Sequence, residues 1–197
     1  MKRRVPRLVL LFAAVAALVV VLDLWSKHAV FDLLEVVSVG KPPSVRSQKV
    51  ITVVPGFFEL EANYNYGAFS GWFASHPEWL TALSLAALAV IIGVAAVHLR
   101  RNPSPSTAFI IALALLWGGT LGNLHDRIRL AAVRDWIKWF VVIDGRPRVW
   151  PNFNIADSAI CTGVGLILLL ELLSSLRERR AAREAARPPG PTPPSPR

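Results

Sequence analysis

The chain has 197 residues, of which 53% are hydrophobic and only 18% charged, with a mean hydropathy of +0.45 and a formal net charge of +9. Soluble domains carry about a quarter of their residues as charges, so this balance excludes an ordinary water-soluble fold and points to lipid as the solvent of the apolar blocks. The 22 Lys and Arg are accounted for by anchoring around membrane spans, so no nucleic-acid partner is expected, and a single cysteine, Cys161, excludes disulfides and cysteine metal clusters within the chain.

Crossing the hydrocarbon takes about 20 mostly apolar residues in a helix, and four stretches meet that requirement. The first, about 8–25, follows a basic segment, Met1 to Arg7. Its alanines Ala13 to Ala17 suggest a signal peptide, but the apolar run continues through Leu22 and no small-x-small site follows it, so the span is expected to be retained. The next segment contains Pro42 and Pro43, then Lys49 to Phe58, whose valines, isoleucine and phenylalanines have strand character, then Asn63 and Asn65. The second span, 79–97, and the third, 107–124, contain no charged residue. The fourth covers about 158–176. Residues 1–176 are therefore expected to form one integral-membrane domain, with 177–187 a basic helical extension near anionic headgroups and the Pro-rich end, Pro188 to Arg197, a disordered tail.

Basic residues set the expected orientation. Lys2, Arg3, Arg4 and Arg7 precede the first span, Arg100 and Arg101 lie between the second and third, and Arg177, Arg179, Arg180, Arg183, Arg187 and Arg197 follow the fourth. These alternate segments share one side, which the positive-inside rule makes cytoplasmic, giving N-in and C-in. The second outer loop runs against the rule, because it holds Arg127, Arg129, Arg134, Lys138, Arg146 and Arg148.

In that orientation the polar residues gather at one boundary. Asp23 and Lys27 end the first span, Asn123, Asp126 and Arg127 end the third, and Asn154, Asp157 and Ser158 open the fourth, while the outer loops add Asn63, Asn65 and Asp135. Asn123, Asp126 and Arg127 are spaced i, i+3, i+4 and share a face if the helix continues through them. Ionisable groups cost about 2.5–3.5 kcal/mol each at a span centre, so their concentration marks a functional site. Each also has a plainer reading. Asp23 and Lys27 form an i, i+4 pair that reads best as a structural helix end, Asp126 beside Arg127 and Arg129 reads as an ion pair, and Asn154 or Asp157 serves equally as an N-cap. Val133-Arg134-Asp135-Trp136 is short and of little specificity. Trp25, Trp72, Trp79, Trp136, Trp139 and Trp150 suit interfacial anchors. His28, His76, His98 and His125 lack metal-ligand spacing, so no metal or other cofactor is expected, and neither a phosphate loop nor a Gly-x-Ser-x-Gly elbow occurs.

What remains is carboxylate chemistry. Two close Asp side chains share a proton, so one can activate water while the other donates to a carbonyl oxygen or leaving amine. Residue type and spacing alone do not separate Asp126 from Asp135 and Asp157 as members of such a pair.

Five motifs occur in order: Asp23-Leu-Trp-Ser-Lys27; Asn65-Tyr-Gly67-Ala68-Phe69; Gly118-Gly119-Thr-Leu-Gly122-Asn123-Leu-His-Asp126-Arg127; Val133-Arg-Asp135-Trp136; and Phe153-Asn154-Ile-Ala156-Asp157-Ser158-Ala159. In these the chain resembles bacterial lipoprotein signal peptidase (signal peptidase II), over about residues 8–176. The resemblance implies an all-α membrane fold of four spans with a small outer-face β-cradle between helices 1 and 2, around residues 49–73. It implies an aspartic endopeptidase whose catalytic dyad is Asp135 and Asp157. Asn65, Gly67, Asn123, Asp126, Arg127, Asn154 and Ala156 are then substrate-binding or supporting residues, and Asp23 and Lys27 structural. The implied substrates are prolipoproteins carrying diacylglycerol on a cysteine, cut on its N-terminal side at the outer face of the bacterial inner membrane. Membrane lipid is the other expected partner, and the protein is expected to act as a monomer. Relative to the family, residues 32–49 form a longer connection. Two further classes compete: a small proton- or ion-coupled transporter, for which intramembrane Asp and Asn also make sense, and a catalytically silent scaffold.

Overall fold

The computed structural model describes residues 4–40, 43–45, 49–67, 77–102 and 104–185. The expectations for Ala68 and Phe69, for the rest of the cradle up to residue 73, for Trp72 and His76 and for the Pro-rich tail fall outside these residues.

Four helices run α1 (Arg4–Leu33), α2 (Pro77–Arg101), α3 (Thr107–Leu130) and α4 (Ile155–Ala185). All four are long and apolar enough to cross a bilayer. Each extends beyond the apolar stretch that announces it. α1 continues two turns past Lys27, α3 runs through Asp126 and Arg127, and α4 carries its basic residues on as helix to Ala185. A helix tolerates charge at such positions when another element supplies the partner.

α3 is the central helix. Half of its most apolar window is buried inside the protein, against about a fifth or less for the others, and it packs against α1, α2 and α4. Glycine makes the close approach possible: a Cβ on Gly118 would lie 2.8 Å from the Ala16 carbonyl oxygen of α1, and one on Gly163 of α4 would lie 2.8 Å from that of Ala112. Without a hydrophobic force between helices in lipid, such small-residue contacts supply the packing.

The sheet departs from expectation. It is a four-stranded antiparallel sheet in the order β3 (Val50–Val54), β4 (Phe58–Asn65), β5 (Val133–Ile143), β6 (Arg146–Val149). Two strands come from the connection between α1 and α2, as expected, but the other two come from between α3 and α4, so the fold is not all-α and the cradle is not confined to the first connection. The missed signal is a hairpin one. Asp144-Gly145 sits between β-rich runs, and both residues adopt positive φ, 52° and 71°, as two-residue hairpin turns require. Earlier in the chain, the long connection contains a two-stranded ribbon, β1 (Ser38–Val39) with β2 (Ser44–Val45), and the Tyr66 hydroxyl donates to the Pro43 carbonyl beside it.

Two local devices aim the chain at the helix ends. Ala131 caps α3 in the left-handed region, φ 58°, donating its N–H to Arg127 O, and this turns the chain into β5. Further on, Ile137 and Phe153 exchange backbone hydrogen bonds of 2.9 and 3.1 Å, which pins the start of α4 onto β5 next to Asp135.

Candidate active site

The polar residues of α1, α3, β5 and α4 meet in one buried network. Lys27 and Asp23 are completely buried and joined at 2.7 Å. They do not mark a helix end, since α1 continues to Leu33; they lie inside the helix packing. Asp23 also accepts the Ala156 N–H at 2.9 Å, which ties the first turn of α4 to α1. A Cβ on Gly122 would fall 2.5 Å from Asp23 Oδ2, so the glycine leaves room for that carboxylate.

Asp126 is an ion pair, but its partner is neither Arg127 nor Arg129. Arg134 of β5 reaches it through Nη2 at 2.8 Å, Nε at 3.2 Å and its backbone N–H at 3.1 Å, and Lys27 lies 3.4 Å from Oδ2. Buried and chelating, Arg134 is the residue that the sequence reading missed. The signal was its place beside Asp135 in a strand, where neighbouring side chains point to opposite faces. Pairing also accounts for part of the unexpectedly basic second outer loop, because Arg134 is neutralised by Asp126 and Lys138 by Glu59 and Glu61, at 3.2 and 2.6 Å.

Asp135 and Asp157 are linked through Asn154. The Asn154 side-chain NH2 donates to Asp135 Oδ1 at 2.7 Å, and its backbone N–H donates to Asp157 Oδ2 at 3.2 Å. The Asp157 N–H returns to Asn154 Oδ1 at 2.9 Å. This is a capping box with Asp at the third helical position, so Asn154 is the N-cap of α4 and Asp157 its partner. Asn123 donates from Nδ2 to Asp157 Oδ1 at 2.8 Å. Asn65 lies close enough to Asp135 to oppose the rise in its proton affinity, and it accepts the Gly67 N–H at 3.1 Å. Asp135 is all but fully buried, and burial, followed by the nearby Asp157 charge, pushes its carboxyl up to about 8 from the usual carboxylate range.

Above the pair opens a cleft of about 990 Å³. Its polar end holds Asn65, Gly67, Asn123, Arg127 and Asp157. Leu80, Leu83 and Ala87 of α2 face Ile160 of α4 across its apolar part, and Trp139, Trp150 and Phe153 border it from the sheet side. Asn63 is exposed and paired in register with Asp135, and Ser158 donates its hydroxyl to Asn154 O at 3.0 Å. Among the described residues, no group of three or more His, Cys, Asp or Glu is arranged to hold a metal ion.

Fold and site thus define a multi-pass membrane protein with two carboxylates bridged by Asn154, one of which, Asp157, lines a largely apolar cleft. The family model for signal peptidase (SPase) II matches residues 15–173, and the chain belongs to that family of bacterial membrane peptidases. It is similar to the lipoprotein signal peptidase of Sulfurihydrogenibium sp. (strain YO3AOP1), with 32% identity over 83% of this chain and 92% of that protein. That of Oleidesulfovibrio alaskensis is 35% identical over 79% of this chain and 90% of its own length. A solved bacterial membrane enzyme, 22% identical, shares the fold with a TM-score of 0.67 over 83% of this chain and 88% of its own.

Proposed function

We propose that this protein is an aspartic endopeptidase that removes signal peptides from diacylglyceryl-modified prolipoproteins, cutting on the N-terminal side of the lipidated cysteine. The observation that carries this reading is the bridge made by Asn154 between the buried Asp135 and Asp157, the latter lining an otherwise largely apolar cleft. Peptide and lipid are both provided for: the carboxylates and asparagines suit a scissile amide, and the wall of α2 and α4 suits acyl chains.

Charge balance supports a dyad that holds one proton. The buried cluster contains Asp23, Asp126, Asp135 and Asp157 against Lys27, Arg127 and Arg134, so four carboxylates face three cations and a single proton neutralises the remainder. Asp157, at the N-terminus of α4 with donors on both oxygens, suits the ionised base. Asp135, with its raised proton affinity, suits the acid. Asp157 takes a proton from water as the hydroxyl adds to the scissile carbonyl, and Asp135 gives its proton to the carbonyl oxygen. Collapse of the tetrahedral intermediate breaks the C–N bond, Asp157 passes its proton to the departing amine of the lipidated cysteine, and Asp135 recovers its own. Arg127, Asn65 and Asn123 border the space where the substrate backbone would lie and hold it there.

In this reading both termini are cytoplasmic, following the basic residues of the tails and of the turn at Arg100 and Arg101, and the sheet and site lie at the outer face of the inner membrane. Purified protein incubated with a diacylglyceryl precursor should release its signal peptide, while the unlipidated precursor should be cut far more slowly. No release, together with proton flux into protein-containing liposomes lacking peptide, would replace this reading with the transporter.

A further inference from the structure

Lys27 has no opening to solvent and enters the chemistry above only through its charge, yet its ammonium is separated from Asp157 by the single side chain of Asn123. It donates to Asp23 Oδ2 at 2.7 Å and to Asn123 Oδ1 at 3.0 Å, and it lies 3.4 Å from Asp126 Oδ2 as an ion pair. A lysine ammonium only donates, so Asn123 must present its oxygen to Lys27. Asn154 Nδ2 reaches the same oxygen at 3.1 Å. With two donors on that side, the Asn123 NH2 has one direction left, toward Asp157 Oδ1 at 2.8 Å. The orientation of this carboxamide is thus set by Lys27 together with Asn154.

We propose that Lys27 is a positioning residue which, through the Asn123 carboxamide, keeps Asp157 as the unprotonated member of the pair and leaves the shared proton to Asp135. An NH2 group aimed at Asp157 favours a lone pair there, whereas a carboxamide turned the other way would offer its oxygen as acceptor to the O–H of a protonated Asp157. The groups facing the pair from each side fit this assignment. α1 contributes Lys27 and Asp23, α3 contributes Asn123, Asp126 and Arg127, β4 contributes Asn65, and β5 contributes Asp135 itself, with Arg134 committed to Asp126. The α2 residues that line the cleft are uncharged. Lys27 is therefore the one cation among them hydrogen-bonded to a side chain that itself bonds the dyad, so removing it changes the direction of a hydrogen bond as well as a charge.

The inference rests on the aspartic-peptidase reading, and its test must separate the two. Lys27→Met alone would strand Asp23 in the interior, so the variant is Asp23→Asn with Lys27→Met, in which the asparagine still accepts the Ala156 N–H. A second variant, Asn123→Leu, removes the relay and leaves Lys27 with its two carboxylates. Each is purified, checked for a cooperative thermal transition, and assayed for kcat against pH on a diacylglyceryl lipopeptide. The acidic limb of the profile should rise by about one unit in both. Below that limb kcat should then fall about tenfold; near the optimum the double variant should stay within about threefold with little change in KM, whereas Asn123→Leu, which also removes a substrate contact, is judged by the position of its limb alone. Infrared titration of the carboxylic-acid C=O stretch, assigned with Asp157→Asn, should show the same upward shift in folded protein without any substrate, so an inactive wild type would sink the peptidase reading and still leave this one decidable. An unmoved limb and infrared titration in the double variant, or a loss of kcat equal at all pH values, would leave Lys27 a structural ion only. A shift in the double variant without one in Asn123→Leu would overturn the relay.

Discussion

Asn154 donates its side-chain NH2 to Asp135 at 2.7 Å while its oxygen caps the Asp157 N–H at 2.9 Å, so one residue sets both the start of α4 and the spacing of two carboxylates. Replacing it with Ala removes an N-cap, at a cost of about 1 kcal/mol, and leaves a buried Asp135 oxygen short of a donor. Asn154→Ala should lower kcat by about 10- to 100-fold on a lipidated precursor and lower Tm modestly, as read from single-turnover cleavage and a thermal melt. Activity within twofold of wild type would separate the cap from the chemistry.

Asp135→Asn and Asp157→Asn should each reduce cleavage by at least about 10²- to 10⁴-fold, the scale of a positioned acid or base, with the protein still folded in detergent. Asparagine keeps shape and hydrogen-bond capacity, so substantial turnover by either variant would exclude that residue from the dyad. Asp126→Asn offers the comparison: its carboxyl is spent on Arg134 and Lys27, so the loss should fall mainly on stability.

Asp135 also predicts a pH dependence with a definite sign. Its proton affinity is raised in the folded protein, from the ordinary 3.8 to about 8, so between these values the native state holds a proton that the unfolded state has released. Its contribution to stability is complete below about pH 4 and fades as pH rises toward 8. Activity should decline with an alkaline limb near pH 8, as the acid is lost, and the Tm of wild type should fall over the same interval. Asp135→Asn, which cannot ionise, should lose that part of the Tm decline and be at least as stable as wild type above pH 8. Parallel melts across pH 5–9 would test this.

The helix contacts predict two opposite outcomes for glycine. A Cβ on Gly118 would meet the Ala16 carbonyl oxygen at 2.8 Å, whereas one on Gly165 would meet nothing within 4 Å. Gly118→Val should destabilise by about 1–3 kcal/mol or more through overpacking, while Gly165→Ala should be neutral or stabilising by up to about 1 kcal/mol through helix propensity. Equal melting temperatures for the two variants would contradict the packing described for α1 and α3.

Much of this architecture was legible in the residues because lipid imposes a simple rule. A span must be apolar for about 20 residues, and four such stretches became four helices. The clustering of Asp, Asn and Arg at span ends was legible for the same reason, since charge is expensive elsewhere. The order of five motifs identified the family. The strands β5 and β6 were harder to see, because Val133 to Val149 mixes arginines with apolar residues and its Asp-Gly turn was the main clue.

Partnership was decided by the tertiary structure. Sequence proximity suggested Arg127 or Arg129 for Asp126, but the strand alternation of β5 delivers Arg134 instead. It suggested a helix end for Asp23 and Lys27, but both are sealed between α1, α3 and α4, where Lys27 contacts Asn123, 96 residues away. Hydrophobic periodicity is written along a chain and survives in its composition, while the direction of a hydrogen bond exists only when a donor and an acceptor from distant segments meet. The sequence by itself determined that this protein spans a membrane and gathers carboxylates at the ends of its spans. Only the packing of α1, α3, β5 and α4 decided which carboxylates face each other and which cation stands behind them.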